Sequence, residues 1–222
     1  MPRNFRDIYV YGDSHRAMFG IGTRFKNVYA IEPPGTEINF RVLSFGANSA
    51  FGLYKEDIWN RKILDQFTKK GDEIWFVFGE IDGRAYINRK HVEEGISVEE
   101  SIDIVIKSYL DYVEVLIKDG YNISIVSVVP PCRTEQIKPH ARGPVFPLHS
   151  GTDAERKYIV ETFNQRLKED CLKRKIVFVD IYKFLVDPND GYNNRELATD
   201  GYHYKYVGDL VVAMLNLKPN ET

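Results

Sequence analysis

Ile74-Trp75-Phe76-Val77-Phe78, opened by Glu73 and closed by Gly79, is an unbroken run of β-branched and aromatic residues. A strand that is apolar at every position, rather than at every second one, is covered on both faces, as in a parallel sheet. Four other runs repeat the pattern: 8–11 stops at Gly12-Asp13, 41–45 at Gly46, 122–129 at Pro130-Pro131 and 176–179 at Asp180. Helical patterns lie between and after them. Residues 97–118 open on a cap-like Ser97-Val-Glu-Glu, carry apolar residues at helical spacing and stop at Asp119-Gly120. Two further helices are expected over 153–173 and 207–217. Strands alternating with helices predict βαβ units and a three-layer α/β fold with a five-stranded parallel sheet, formed by residues 1–222 as one domain. The stretch 130–151 holds five of the ten prolines and reads as a long ordered loop of the functional kind.

Composition narrows the function classes. The 222 residues are 43% hydrophobic and 28% charged, as in ordinary globular proteins. A net charge of -2 offers no global field for nucleic acid or an anionic membrane. Cys132 and Cys171 lack CxxC spacing and are expected as free thiols. No apolar run approaches the roughly 20 residues of a membrane span. The first residues lack the apolar core of a signal peptide and a strand is expected from about Asp7, so the expected location is the cytoplasm.

In open parallel sheets ligands gather beyond the carboxyl ends of the strands. Three such ends carry unusual sequences: Gly12-Asp13-Ser14-His15, Gly46-Ala47-Asn48-Ser49 and Gly79-Glu80-Ile81-Asp82-Gly83-Arg84. Asp200-Gly201-Tyr202-His203 follows near the C-terminus. A serine hydroxyl attacks a carbonyl only when a histidine takes its proton and a carboxylate orients that histidine. Ser14 is thus the candidate nucleophile, His203 the base and Asp200, one turn away, its orienting group. The backbone N–H of Ser14 at its turn, and that of Gly46, suit an oxyanion.

The segment Tyr11-Gly12-Asp13-Ser14-His15 resembles the nucleophile segment of the SGNH, or GDSL-like, hydrolases. Gly46 resembles their second-segment oxyanion glycine, and Asp200-x-x-His203 their terminal Asp-x-x-His. The resemblance implies a flavodoxin-like sheet and a serine esterase without metal or cofactor. In the third segment the family usually has Gly-x-Asn-Asp, the asparagine amide donating to the oxyanion. Here Ile81 stands in its place, so Arg84 or Asn48 is expected to supply the donor. The variant Gly79-Glu80-Ile81-Asp82 resembles a subgroup associated with polysaccharide-building enzymes, which implies an acyl, foremost acetyl, ester of carbohydrate as substrate. With it Glu80, Asp82 and His15 become candidate substrate contacts.

Other readings compete with these. Ser14 is also a favoured helix N-cap, and Glu80 and Asp82 suit simple pairing with Arg84. A sugar hydroxyl in place of water as acceptor makes the same site an O-acyltransferase. Asp13-x-His15 has the residue types of a phosphoesterase metal pair, but no Gly-Asn-His segment follows to complete it. A non-catalytic carbohydrate-binding module that keeps the frame is the remaining class. The expected partner is a small-molecule or glycan substrate.

Overall fold

The computed structural model describes residues 6–20, 28–31, 38–43, 48–136, 150–199 and 203–217. Its strands are β1 (Arg6–Gly12), β2 (Val28–Ile31), β3 (Ile38–Leu43), β4 (Glu73–Val77), β5 (Asn122–Val126) and β6 (Val177–Val179). They form one sheet in the order β2-β3-β1-β4-β5-β6. The five expected strands are all parallel and follow the flavodoxin-like order, with the topological switch between β1 and its neighbours β3 and β4. One strand was not expected: β2 adds an antiparallel edge on β3, with Val28 opposite Leu43.

Alternate strand residues feed two cores. Ile8 and Val10 of β1 join Trp75 and Val77 of β4 on one face. Tyr11 joins Ile74 and Phe76 on the other. Burial on both faces is what makes these runs continuously apolar in the sequence. The Tyr11–Phe76–Phe78 face is covered by α3 (Val98–Lys118) and α4 (Asp153–Lys173). The Trp75 face is covered by Met18 and Phe19, by Leu185 of α5 (Tyr182–Leu185) and by Val211 and Val212 of α6 (Gly208–Met214).

Helix ends are closed by side chains. Ser97 Oγ accepts the N–H of Glu100, as the sequence of α3 predicts. Thr152 and Glu155 form a reciprocal capping box at α4, a Thr-x-x-Glu start one residue before the expected helix. Two further helices, α1 (Asp57–Phe67) and α2 (Ile87–Glu94), follow β3 and β4. Cys132 and Cys171 are free thiols, as expected, and both are buried. Among the described residues no helix is long and apolar enough to cross a membrane.

The tightest point of the sheet is at Gly12. A Cβ there would lie 2.1 Å from the carbonyl oxygen of Val77. This close approach extends the β1–β4 ladder by one bond, from the N–H of Asp13 to Val77 O at 2.9 Å. Gly12→Ala is expected to destabilise the fold by about 3 kcal/mol, the upper end of ordinary overpacking. Thermal unfolding checks this, and a midpoint equal to wild type would show that the strands separate freely there.

Candidate active site

Beyond Gly12 the chain turns into a short 3₁₀ helix, Ser14–Phe19. The N-cap is Asp13, whose Oδ1 accepts the N–H of His15 at 2.8 Å. The capping role open to Ser14 therefore falls to its neighbour, and the Ser14 hydroxyl lies 2.9 Å from Nε2 of His203. Arg16 secures the turn from behind. Its buried guanidinium donates to the carbonyls of Gly12 (2.9 Å) and Asp13 (2.6 Å).

His203 arrives from 189 residues away in sequence and is held by its backbone. Its carbonyl accepts the N–H of Thr199 at 2.8 Å and the Thr199 hydroxyl at 3.0 Å. The next residue, Tyr204, bridges to Ala198 and is buried in the Trp75-face core. The N–H of Val207 then donates to Met18 O at 2.8 Å, tying the segment to the helix that carries Ser14. Asp200 and Gly46 lie outside the described residues.

The third strand end builds a cluster of buried charge. Gly79 takes φ +110°, a conformation favouring glycine, and a Cβ there would also meet Val128 Cγ2 at 2.7 Å. Glu80 follows, and its Oε1 accepts Nε–H of Arg84 at 2.6 Å across one turn. The other oxygen, Oε2, is 3.9 Å from Nδ1 of His15. Burial opposes ionisation of Glu80, but Arg84, His15 and His203 outweigh it and hold the carboxyl down at about 2. His15, 2% exposed, also has Nδ1 at 3.1 Å from Asp13 Oδ1. Its ring stacks on that of His203, with centroids 5.2 Å apart and planes at 28°.

Asp82 does something else. It has no solvent exposure, and its two oxygens accept the N–H groups of Ala50 (2.6 Å) and Phe51 (3.3 Å). A carboxylate so enclosed and occupied does not meet a substrate, so the expectation for this residue is corrected: Asp82 fastens the turn that begins at Asn48. The Asn48 side-chain nitrogen is buried and has no hydrogen-bond partner among the described residues. Arg84, the other expected donor, has its Nε on Glu80 and lines a small cavity with Val129, Pro131, Cys132, Arg156 and Val160. Burial first, and Glu80 second, push the Cys132 thiol up to about 12, so it is not a nucleophile near neutral pH. Among the described residues no group of three or more His, Cys, Asp or Glu side chains converges as metal ligands would.

No protein-family model and no curated protein sequence matches the chain. Solved structures do. A GDSL-like lipase from Bacteroides thetaiotaomicron superimposes with a TM-score of 0.55 at 13% identity, covering 95% of this chain and 85% of that one. An acetylxylan esterase from Geobacillus stearothermophilus gives 0.53 at 16%, with 98% and 95% covered. A second acetyl xylan esterase gives 0.52 at 13%, with 95% and 98% covered. The chain has the fold of these lipases and esterases. At such identities the likeness extends to the architecture, while the site rests on its own geometry.

Burial pushes the Asp82 carboxyl up to about 7, against the pull of the Ala50 and Phe51 N–H groups. An unfolded aspartate titrates near 3.9, so the stability Asp82 contributes is full below about pH 4 and lost as pH rises through about 7. Asp82→Asn cannot titrate. The stability of wild type relative to this variant is therefore expected to fall between about pH 4 and pH 7 and to level off above. Thermal or urea unfolding of both proteins across that range checks the sign, and a constant difference would refute it.

Proposed function

We propose that the chain is an SGNH-type serine ester hydrolase that removes acyl groups, foremost acetyl, from carbohydrate. The 2.9 Å contact between Ser14 Oγ and His203 Nε2 carries the reading. It joins a hydroxyl and an imidazole at the carboxyl rim of a parallel sheet, within the reach needed for proton transfer. The acetylxylan esterases among the structural neighbours support the substrate class.

In the proposed reaction Ser14 Oγ attacks the ester carbonyl carbon while its proton passes to His203 Nε2. The tetrahedral oxyanion collapses, the sugar oxygen leaves with the proton from His203, and the acyl group stays on Ser14. Water, deprotonated by the same imidazole, attacks the acyl-enzyme and releases the acid and the free serine. A sugar hydroxyl entering in place of water completes an acyl transfer with the same atoms. Asp200 is assigned the orientation of His203, and Glu80 and His15 act close to that imidazole. Ser14 and His203 set a hydroxyl against an imidazole, while Asp13 and His15 are engaged with each other, which favours this reading over a metal-dependent phosphoesterase.

The oxyanion is assigned to the backbone N–H groups of Ser14 and Gly46 and to the side-chain amide of Asn48. Among the described residues the buried Asn48 amide has no partner, and an oxyanion forming beside it supplies one. Asn48 precedes Ala50 and Phe51, whose N–H groups are held by Asp82 beyond the carboxyl end of β4. Asp82 fixes the turn directly after it.

Ser14→Ala is expected to abolish hydrolysis of p-nitrophenyl acetate and labelling by a fluorophosphonate, with thermal unfolding nearly unchanged. Equal turnover in the variant would remove Ser14 from the reaction. Asn48→Ala is expected to lower kcat by about 100-fold with little change in KM, the size of one lost oxyanion donor. Steady-state kinetics separate the two constants, and a rise in KM alone would make Asn48 a substrate contact instead.

A further inference from the structure

Ester hydrolysis by Ser14 and His203 does not call for a second imidazole, yet one is built into the site. His15 is buried, and its position is fixed twice by one oxygen, Asp13 Oδ1, through the backbone N–H at 2.8 Å and through Nδ1 at 3.1 Å. Its ring lies 5.2 Å from that of His203, near parallel. Among the described residues, the charged and titratable groups facing it include Asp13 from its own turn, Glu80 from the end of β4 and His203 from the C-terminal segment. Behind them stand Arg84, on Glu80, and Arg16, on the Asp13 carbonyl.

We propose that His15 is a positioning residue, a fixed plate that holds the His203 ring against Ser14 and couples it to the carboxylates of Asp13 and Glu80. The inference rests on the reading of Ser14 and His203 as nucleophile and base.

The argument is steric and electrostatic. A His ring on a loop loses rate when it tilts, since a misplacement of about 1 Å costs about 100-fold. His15 closes one face of His203, and Asp13 prevents His15 from yielding. Nδ1 of His15 is turned to Asp13 Oδ1 at 3.1 Å and Glu80 Oε2 at 3.9 Å, so carboxylate charge stands beside the pair of rings. When His203 takes the Ser14 proton, the imidazolium forms near Glu80, whose negative charge is maintained by Arg84 and favours the protonated ring. The variant Gly79-Glu80-Ile81-Asp82 thereby acquires a purpose: Glu80 acts on the base through the stacked pair, and Asp82 acts on the oxyanion turn.

The test uses two readouts on the whole chain: the rate of fluorophosphonate labelling, and the titration of the His203 ring by NMR, assigned with His203→Asn. His15→Ala is expected to slow labelling about 100-fold, and His15→Phe, which restores a flat ring, to recover most of that loss. Glu80→Gln removes the negative charge and is expected to lower the His203 midpoint by about half a pH unit or more. If His15→Ala does not fold, His15→Phe and Glu80→Gln carry the test: labelling within about tenfold of wild type together with the lowered midpoint supports the proposal. Wild-type labelling in His15→Ala, or an unmoved His203 midpoint in Glu80→Gln, overturns it. Failure of the serine-enzyme reading is distinct, because the wild type itself would then not label, while the NMR titration still reports on the stacked pair.

Discussion

The approach of Gly12 to Val77 governs the geometry of the site. A side chain at position 12 would collide with the Val77 carbonyl, and its absence lets β1 and β4 stay paired to their last residues. Because the ladder continues to Asp13, the turns after both strands leave the sheet at the same height and side by side. That brings the segment with Ser14 and His15 against the segment with Glu80. Parallel strands make this possible, since all their carboxyl ends fall on one rim. The rigidity of the sheet is passed to the side chains through short turns rather than through long loops.

Three carboxylates lie buried under that rim, and each is managed differently. Burying an unpaired charge is costly, so a partner must be supplied. Asp13 takes the N–H and ring of His15, Glu80 takes Arg84, and Asp82 takes two backbone amides. The consequences for charge follow. Glu80 stays ionised because cationic and ring groups surround it, whereas Asp82 has only amide dipoles against full desolvation and is drawn towards its neutral form. One acid therefore stands as permanent charge near the paired imidazoles, the other as a fastener for the turn after Asn48.

Much of the fold was legible in particular residues. The five parallel strands announced themselves because burial on both faces leaves few polar positions, and α3 because Ser97 caps a clean apolar stripe. β2 was not seen: four residues at an antiparallel edge carry too little pattern to stand out. α1 was not singled out either, since Ile58 and Trp59 are exposed and blur its apolar face. The three roles tied to Asp13, Arg16 and Asp82 were hidden as well, because capping, carbonyl pinning and turn fastening depend on which backbone groups lie near, and charged residues usually read as surface.

What the sequence by itself determined is the frame and its chemical endowment: alternating buried strands and helices, and a serine, glycine-rich turns and an Asp-x-x-His at their ends. Local composition suffices there, because strand burial and turn formation leave marks over a few neighbouring residues. Only the tertiary structure set the distances at which groups meet. Ser14 and His203 come to 2.9 Å across 189 residues of chain, and His15 turns from an expected substrate contact into a buried ring stacked on His203. Such pairings depend on distances between separate elements, which the sheet order and the depth of burial set and which no local pattern encodes.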